Sequence, residues 1–344
     1  MPEKAYRYNR EGSQQVYPDD VIAGKQSSSF DTCEAVERSP VLRRLPRCFV
    51  PYAQLIRLDK PIGFVIVYFP YAIGILFAAS ISPSTIPVRT LMRQGGIFLL
   101  GSIVLRSAGC TWDDIVDQDL DSQVERSRTR PLVRGTVSTT EALLFMSAVS
   151  ACGILLLSRL PWECSADAAF ITALSFVYPY MKRFTDYTQV VLGLTIGFAV
   201  VMTMHALEVN PLADCNQMCT GSLWFAIALL MMLYDIVYAG QDTNDDVKAG
   251  VRSMAVLFKS HIRVVISLLA SAIIACLVSV GAVGGLGPRY LIITVGGSSS
   301  ALLTMIMAMD LKVPASCHKY CGGAYMLTSV AMLLGFLAEY QGRS

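Results

Sequence analysis

From about residue 61 to the end, the chain alternates long apolar runs with short polar interruptions. Nine runs approach the length that crosses about 30 Å of hydrocarbon at about 1.5 Å per helical residue. They cover about 61–82, 95–112, 141–158, 166–181, 188–206, 221–240, 263–285, 289–309 and 322–340. The fourth and fifth are the least distinct, because Tyr178-Pro179-Tyr180-Met181-Lys182-Arg183 interrupts what otherwise reads as one zone. The pattern predicts an all-α polytopic membrane protein, a bundle of about nine transmembrane helices, and the two acidic clusters taken up below suggest that it faces itself across a central cavity. Residues 1–48 are polar, with Pro, Ser, Gln and mixed charge, and read as a disordered segment ahead of a membrane domain at 49–344. Glu3, Asp19, Asp20, Asp31, Glu34 and Glu37 argue against a mitochondrial presequence, which is poor in acids.

Composition agrees with the pattern. Apolar residues make up 53% of the chain and charged residues 16%, against about 25% charged in a soluble protein. The net charge of +2 provides no basic face for nucleic acid. Lys and Arg concentrate in alternate loops: Arg126, Arg128, Arg130 and Arg134, then Lys182 and Arg183, then Lys248, Arg252, Lys259 and Arg263, then Lys312 and Lys319. By the positive-inside rule these loops, and the N-terminus with them, are cytosolic.

Two acidic clusters fall at this same side. In GCTWDDIVDQDLDSQVERSRTRPL, Asp114, Asp117 and Asp121 are spaced to share one helical face, with Asp113 beside them. In YDIVYAGQDTNDDV, Asp242 and Asp246 are one turn apart, Asp235 lies seven residues earlier, and Asp245 is adjacent. Like charges at such spacing repel, so a helix has no structural reason to stack them. With no His or Cys interleaved, the clusters suit hard cations, and Mg²⁺ is commonly held by a few carboxylates together with substrate phosphates. Arg126, Arg130, Lys182 and Arg183 come from the same side and suit the diphosphate those ions would carry. Arg106 lies within the second span, where arginine is costly and faces a partner or a cavity. It either pairs with an intramembrane acid such as Asp235 or holds an anionic part of a substrate. Arg57 and Lys60, just before the first span, read equally as interfacial anchors or as phosphate ligands.

The ten cysteines are scattered. Cys110, Cys152 and Cys276 read as apolar fillers of spans, and Cys215 and Cys219 share a non-cytosolic loop where a disulfide is an open alternative. Cys317-His318-Lys319-Tyr320-Cys321 offers zinc three ligands without an evident fourth, which favours a structural role.

Four segments together resemble the UbiA superfamily of intramembrane prenyltransferases. GCTWDDIVDQDLDSQVERSRTRPL resembles the family's NDxxDxxxD signature with its trailing basic motif. YDIVYAGQDTNDDVKAGVRSMAVLF resembles its second aspartate motif, LIRLDKPIGF its RxDKPxG segment, and YPYMKRFT its Tyr-Lys motif. The matches fall in family order across roughly residues 50–340, most like 4-hydroxybenzoate polyprenyltransferases and fungal meroterpenoid-pathway enzymes.

The resemblance implies that Asp114, Asp117, Asp121, Asp242 and Asp246, with Asp245 alongside, hold Mg²⁺ and an allylic diphosphate. It also implies that Tyr178, Lys182 and Arg126 contact the diphosphate and that Arg106 faces the acceptor. Asp113 stands where the family has asparagine, which leaves its role open. The implied reaction transfers a prenyl group, farnesyl in the favoured reading, to a phenolic polyketide acid at the cytosolic face of an endoplasmic reticulum or Golgi bilayer. A mitochondrial ubiquinone-pathway enzyme and a UbiA-like terpene cyclase are the alternatives within the family. A cation transporter is the alternative outside it.

Overall fold

The computed structural model describes residues 39, 41–311 and 313–343. The expectation of a disordered N-terminal segment therefore falls mostly outside the described residues. Within it, Leu42–Arg44 and Arg47–Phe49 form short 3-10 turns, and Leu42 is buried against Val50 and Ala53.

Nine long helical segments follow: α1 Ile62–Ile81, α2 Val88–Val116, α3 Thr139–Leu157, α4 Glu163–Phe184, α5 Thr188–Ala206, α6 Gln217–Ala239, α7 Ile262–Val283, α8 Pro288–Ala308 and α9 Pro314–Arg343. All but α4 are apolar and long enough to cross a membrane, which makes eight candidate spans among the described residues. In α4, Glu163, Asp167, Lys182 and Arg183 dilute an otherwise apolar segment of 22 residues. The expected count of nine is thus approximate, and the all-helical bundle stands.

Local chemistry explains several helix ends and breaks. Ser138 caps α3 by accepting from the Glu141 amide, while the Glu141 carboxylate accepts from the Ser138 amide at 2.8 Å, so two otherwise orphaned donors are satisfied. α5 is interrupted at Phe198, and α8 contains a π-helical turn at Leu291–Gly296. α2 runs well past both ends of the apolar run 95–112, carrying Arg106 in its body and Asp113 and Asp114 in its last turn.

Position in the bundle follows from burial. The apolar stretch of α1 is 67% buried and that of α3 is 6% buried, so α1 is central and α3 presents its residues to lipid. α1 packs on α2, α5 and α9, whereas α6 packs on α5, α7 and α9. The C-terminal ends of α2, α4 and α6 consequently surround one space.

Candidate active site

The acidic clusters are brought to that space by different backbone routes. α2 ends at Val116, where Asp117 leaves helical geometry (φ −95°, ψ 10°), and the short helix Gln118–Asp121 then returns Asp121 toward Asp114. Asp114, Asp117 and Asp121 are all buried, although they do not lie on one continuous helix as their spacing suggests. Asp242 stands at the end of α6, ahead of the short helix Thr243–Ala249 that bears Asp246. Asp113, Asp117, Asp121, Asp242 and Asp246 line a polar cavity of 410 Å³ together with Arg57, Lys60, Arg106, Arg126, Arg130, Tyr178, Lys182 and Asp235.

Asp113, Asp114, Asp117, Asp121 and Asp242 each have a counter-cation from another element of the chain. Arg57 grips Asp114 with two guanidinium nitrogens, one of them at 3.0 Å, and Arg130 meets Asp114 at 3.0 Å while also bonding Asp121. Arg57 has φ +59°, a rare conformation for a side-chain-bearing residue, and such strain persists where surrounding contacts over-determine it. Lys182 donates to Asp113 at 3.2 Å and to Asp117, with its ammonium 5.4 Å from the Tyr178 ring centre. Arg126 donates to Asp242 at 2.8 Å and to the Tyr238 hydroxyl at 3.0 Å.

Asp113, which stands where the resembled pattern has asparagine, is thus paired with Lys182. Of the two readings of Arg57 and Lys60, both residues face the cavity. Three nominated residues do not line the cavity: Asp114 is buried behind its wall, where it pairs with Arg57 and Arg130, and Arg183 and Asp245 are drawn to the surface. Arg183 holds the exposed Asp119 through two bonds of 2.7 Å, and Asp245 pairs with exposed Lys248 at 3.2 Å; neither lines the cavity.

Electrostatics outside the spans records the crowding. Burial raises the Asp117 carboxyl to about 6 against the pull of Lys182. Burial and Asp242 raise Asp246 to about 6, and burial raises Asp121 as well. By contrast the Arg183 hydrogen bonds hold exposed Asp119 down at about 2.

The donor set is all carboxylate oxygen, which fits a hard cation such as Mg²⁺. Asp117 Oδ1 is buried without a hydrogen-bond partner, an acceptor left free on the cavity wall. Among the described residues no three such side chains converge on one point, because their oxygens are directed at arginine and lysine. The Cys317–Cys321 stretch likewise forms no metal site. Cys317 bonds the Asp310 carbonyl, Cys321 bonds the Tyr234 carbonyl, and His318 stands beside Tyr238. Cys215 and Cys219 are both free thiols.

A second, largely apolar cavity of 730 Å³ adjoins the first, sharing Lys60, Arg106, Cys110, Asp113, Arg126, Tyr178, Asp235 and Tyr238 with it. Ile66, Val67, Leu192, Ile196 and Met231 provide its greasy wall. Arg106 sits at the junction. It makes no ion pair with Asp235; its guanidinium lies 5.7 Å from the Phe64 ring centre, and its buried Nε has no hydrogen-bond partner. Gly63 makes room for it, since a Cβ there would fall on the guanidinium.

Tyr234 and Tyr238, stacked at 5.9 Å, form one side of the junction and escaped notice in the sequence. The position of Tyr238, three residues after Asp235 and four before Asp242, was the available signal.

Relatives carry the same chemistry in their names. The chain matches the UbiA prenyltransferase family over residues 67–333. It is 39% identical over 307 residues to the prenyltransferase adrG of Penicillium roqueforti, covering 89% of this chain and 96% of that one. It is 38% identical over 319 residues to the DMOA farnesyltransferase nvfB of Aspergillus novofumigatus, covering 93% and 99%. A UbiA homolog from Archaeoglobus fulgidus bound to DMAPP and Mg²⁺ shares the fold, with a TM-score of 0.62 at 16% identity over 84% of this chain and 99% of that one. The chain therefore belongs to the UbiA prenyltransferase family, membrane enzymes that transfer prenyl groups.

Proposed function

We propose that this enzyme transfers a farnesyl group from farnesyl diphosphate to a phenolic aromatic acid of the orsellinic polyketide type, in meroterpenoid secondary metabolism. The observation that carries the reading is the junction of the two cavities, where an acid-and-arginine chamber opens directly into an apolar one at Arg106, Asp113, Tyr178 and Tyr238. The name of the Aspergillus relative, a DMOA farnesyltransferase, supports the farnesyl donor. An apolar space of 730 Å³ is on the scale of drug-sized ligand sites, roughly 300–1,000 Å³. The active site faces the cytosol of an endoplasmic reticulum or Golgi membrane, because the basic loops surround it.

Asp114, Asp117, Asp121, Asp242 and Asp246 would hold Mg²⁺, which when bound supplies charge neutralisation for the leaving diphosphate. Arg57, Arg126, Arg130 and Lys182 bind the diphosphate oxygens, which favours ionisation of the allylic C–O bond by stabilising charge as it develops. The apolar wall keeps water from the allylic cation, and the faces of Tyr234 and Tyr238 stabilise it. Arg106 orients the acceptor through its carboxylate, so that an electron-rich ring carbon attacks and then loses its proton.

The reading is tested by incubating microsomes bearing the enzyme with Mg²⁺, labelled farnesyl diphosphate and either an orsellinic-type acid or 4-hydroxybenzoate. A farnesylated orsellinic-type product supports it. Prenylated hydroxybenzoate alone, or hydrocarbon formed without acceptor, would overturn it.

Arg106→Ala removes the charged donor at the junction. The acceptor KM is expected to rise about 10- to 100-fold, the scale of a lost charge-assisted hydrogen bond, with a smaller rise for the donor. Steady-state kinetics varying each substrate in turn checks this, and a larger donor effect would reassign the arginine to phosphate.

The raised carboxyls predict a pH effect. Asp117 and Asp246 have folded values of about 6, above the ordinary 3.8, so their contribution to stability is full below about pH 4 and is lost as pH rises through about 6. Mg²⁺ competes with those same protons. Its half-saturating concentration is expected to fall about tenfold per carboxylate between about pH 5 and pH 7. Mg²⁺ titrations of turnover across that range check the slope, and a flat dependence would contradict it.

A further inference from the structure

Attack by a ring carbon on an allylic cation leaves a proton on that carbon, and some group must receive it. Two carboxylates, Asp113 and Asp235, line both the polar and the apolar chamber. Asp113 is held by the Lys182 ammonium at 3.2 Å. Among the described residues Asp235 makes no ion pair, and its hydrogen bond comes from the neutral side-chain amide of Gln189. The orientation of that amide is fixed by its surroundings. Gln189 is 2% exposed, and its Oε1 accepts from the Met254 backbone N–H at 3.0 Å and from the Thr188 hydroxyl at 2.9 Å. Its Nε2 is the donor left for the carboxylate. A carboxylate that meets a neutral donor keeps more of its affinity for a proton than one neutralised by a cation.

Resting on the aromatic-transfer reading, we propose that Asp235 is the catalytic base, the group that takes the proton from the ring carbon once that carbon has bonded to the prenyl group. On α6, Asp235 directly follows Tyr234 and precedes Tyr238 by three residues, so it stands on the turn that carries the two stacked rings. Arg106 and Asp235 line the same junction without pairing, which leaves space between the group that holds the acceptor's carboxylate and the group that receives its proton. The step balances. A π electron pair of the ring forms the new bond to the allylic carbon as diphosphate departs. The ring C–H bond then breaks, its electrons restore the aromatic ring, and the proton passes to an Asp235 carboxylate oxygen, which becomes neutral. Because Asp235 lines both chambers, the acid formed beside the apolar wall returns its proton on the polar side and is ready for another turnover. His318 is the competing acceptor. It lines the apolar chamber only, beside Tyr238 with ring centres 6.2 Å apart.

The test measures turnover of wild type, Asp235→Asn and His318→Gln in membranes with Mg²⁺, farnesyl diphosphate and an orsellinic-type acid or 4-hydroxybenzoate. Each acid is supplied with its ring hydrogens and, separately, with deuterium in their place. Asparagine keeps an oxygen for the Gln189 amide and removes the basicity. Turnover of Asp235→Asn, normalised to protein in the membrane, is expected to fall at least about a hundredfold, the lower scale for loss of a general base. The donor KM should stay near that of the wild type. Ring deuteration should slow Asp235→Asn and leave wild type and His318→Gln nearly unchanged, because proton loss limits the rate only when its acceptor is missing. Turnover of Asp235→Asn within about tenfold of wild type, or a ring isotope effect no larger than that of the wild type, would overturn the assignment. A misfolded variant or one impaired in metal binding loses turnover without gaining the isotope effect, so a structural role is told apart from the base. An isotope effect in His318→Gln alone would move the role to that imidazole. Failure of the reading itself shows in the wild type. Prenylated 4-hydroxybenzoate without the orsellinic-type product sinks the proposed substrate, while the isotope comparison on that ring still decides Asp235. A wild type that prenylates neither ring overturns both.

Discussion

Replacing Asp114 or Asp242 with asparagine is expected to lower prenyl transfer at least about a thousandfold, the upper range for removing one preorganised charge-stabilising group. The two residues stand on different helical elements: Asp242 lines the chamber with Arg126, and Asp114, buried behind its wall, holds Arg57 and Arg130, which line it. Asparagine keeps the shape of each side chain and removes only the negative charge that the proposed Mg²⁺ requires. Alanine at position 114 adds a second effect. Asp114 is fully buried, and its removal leaves the guanidinium of Arg57 without its carboxylate, at a cost of about 3–5 kcal/mol by analogy with other broken buried pairs. Product formation from labelled farnesyl diphosphate, normalised to the protein in the membrane fraction, separates loss of chemistry from loss of fold. Activity within tenfold of wild type in either asparagine variant would contradict a two-sided metal clamp.

Lys182→Met is the second large effect. The ammonium of Lys182 is shared by Asp113 and Asp117, so its removal leaves two neighbouring carboxylates facing each other in a poorly solvated space. The donor KM is expected to rise and turnover to fall, together about a hundredfold in kcat/KM, with a stability loss of about 3–5 kcal/mol. If Lys182 exists partly to balance Asp113, then Asp113→Asn in the same chain should recover much of the stability but not the donor affinity. Melting temperatures and steady-state kinetics on the single and double variants give the coupling directly. Additive stability losses would show that Asp113 and Lys182 act independently.

How much of this was legible in the sequence depends on the range of each interaction. The helices were legible because apolar runs of the length a bilayer demands leave few other conformations for the backbone. Asp114, Asp117, Asp121, Asp242 and Asp246 stood out because like charges at helical spacing lack a local reason. The partners of these acids were not legible. Arg57 finds Asp114 across 57 residues and Arg126 finds Asp242 across 116, separations that no periodicity encodes. Arg183 and Asp245 illustrate the converse: both have the right charge in the right motif, yet each is satisfied at the surface, Arg183 by Asp119 across 64 residues and Asp245 by Lys248 within one helical turn.

By itself, then, the sequence determined that this is a membrane-embedded helical bundle carrying its acids and arginines at one end, since hydrophobic length, helical spacing and loop charge are local properties of the chain. Only the tertiary structure decided which cation neutralises which carboxylate. It also decided that α2 stops at Val116 so that Asp117 and Asp121 turn back toward Asp114, and that Arg106 is left unpaired at the mouth of an apolar chamber. The physical reason is that a cavity is an absence created by helices distant in sequence, and no residue records the space that its neighbours leave open.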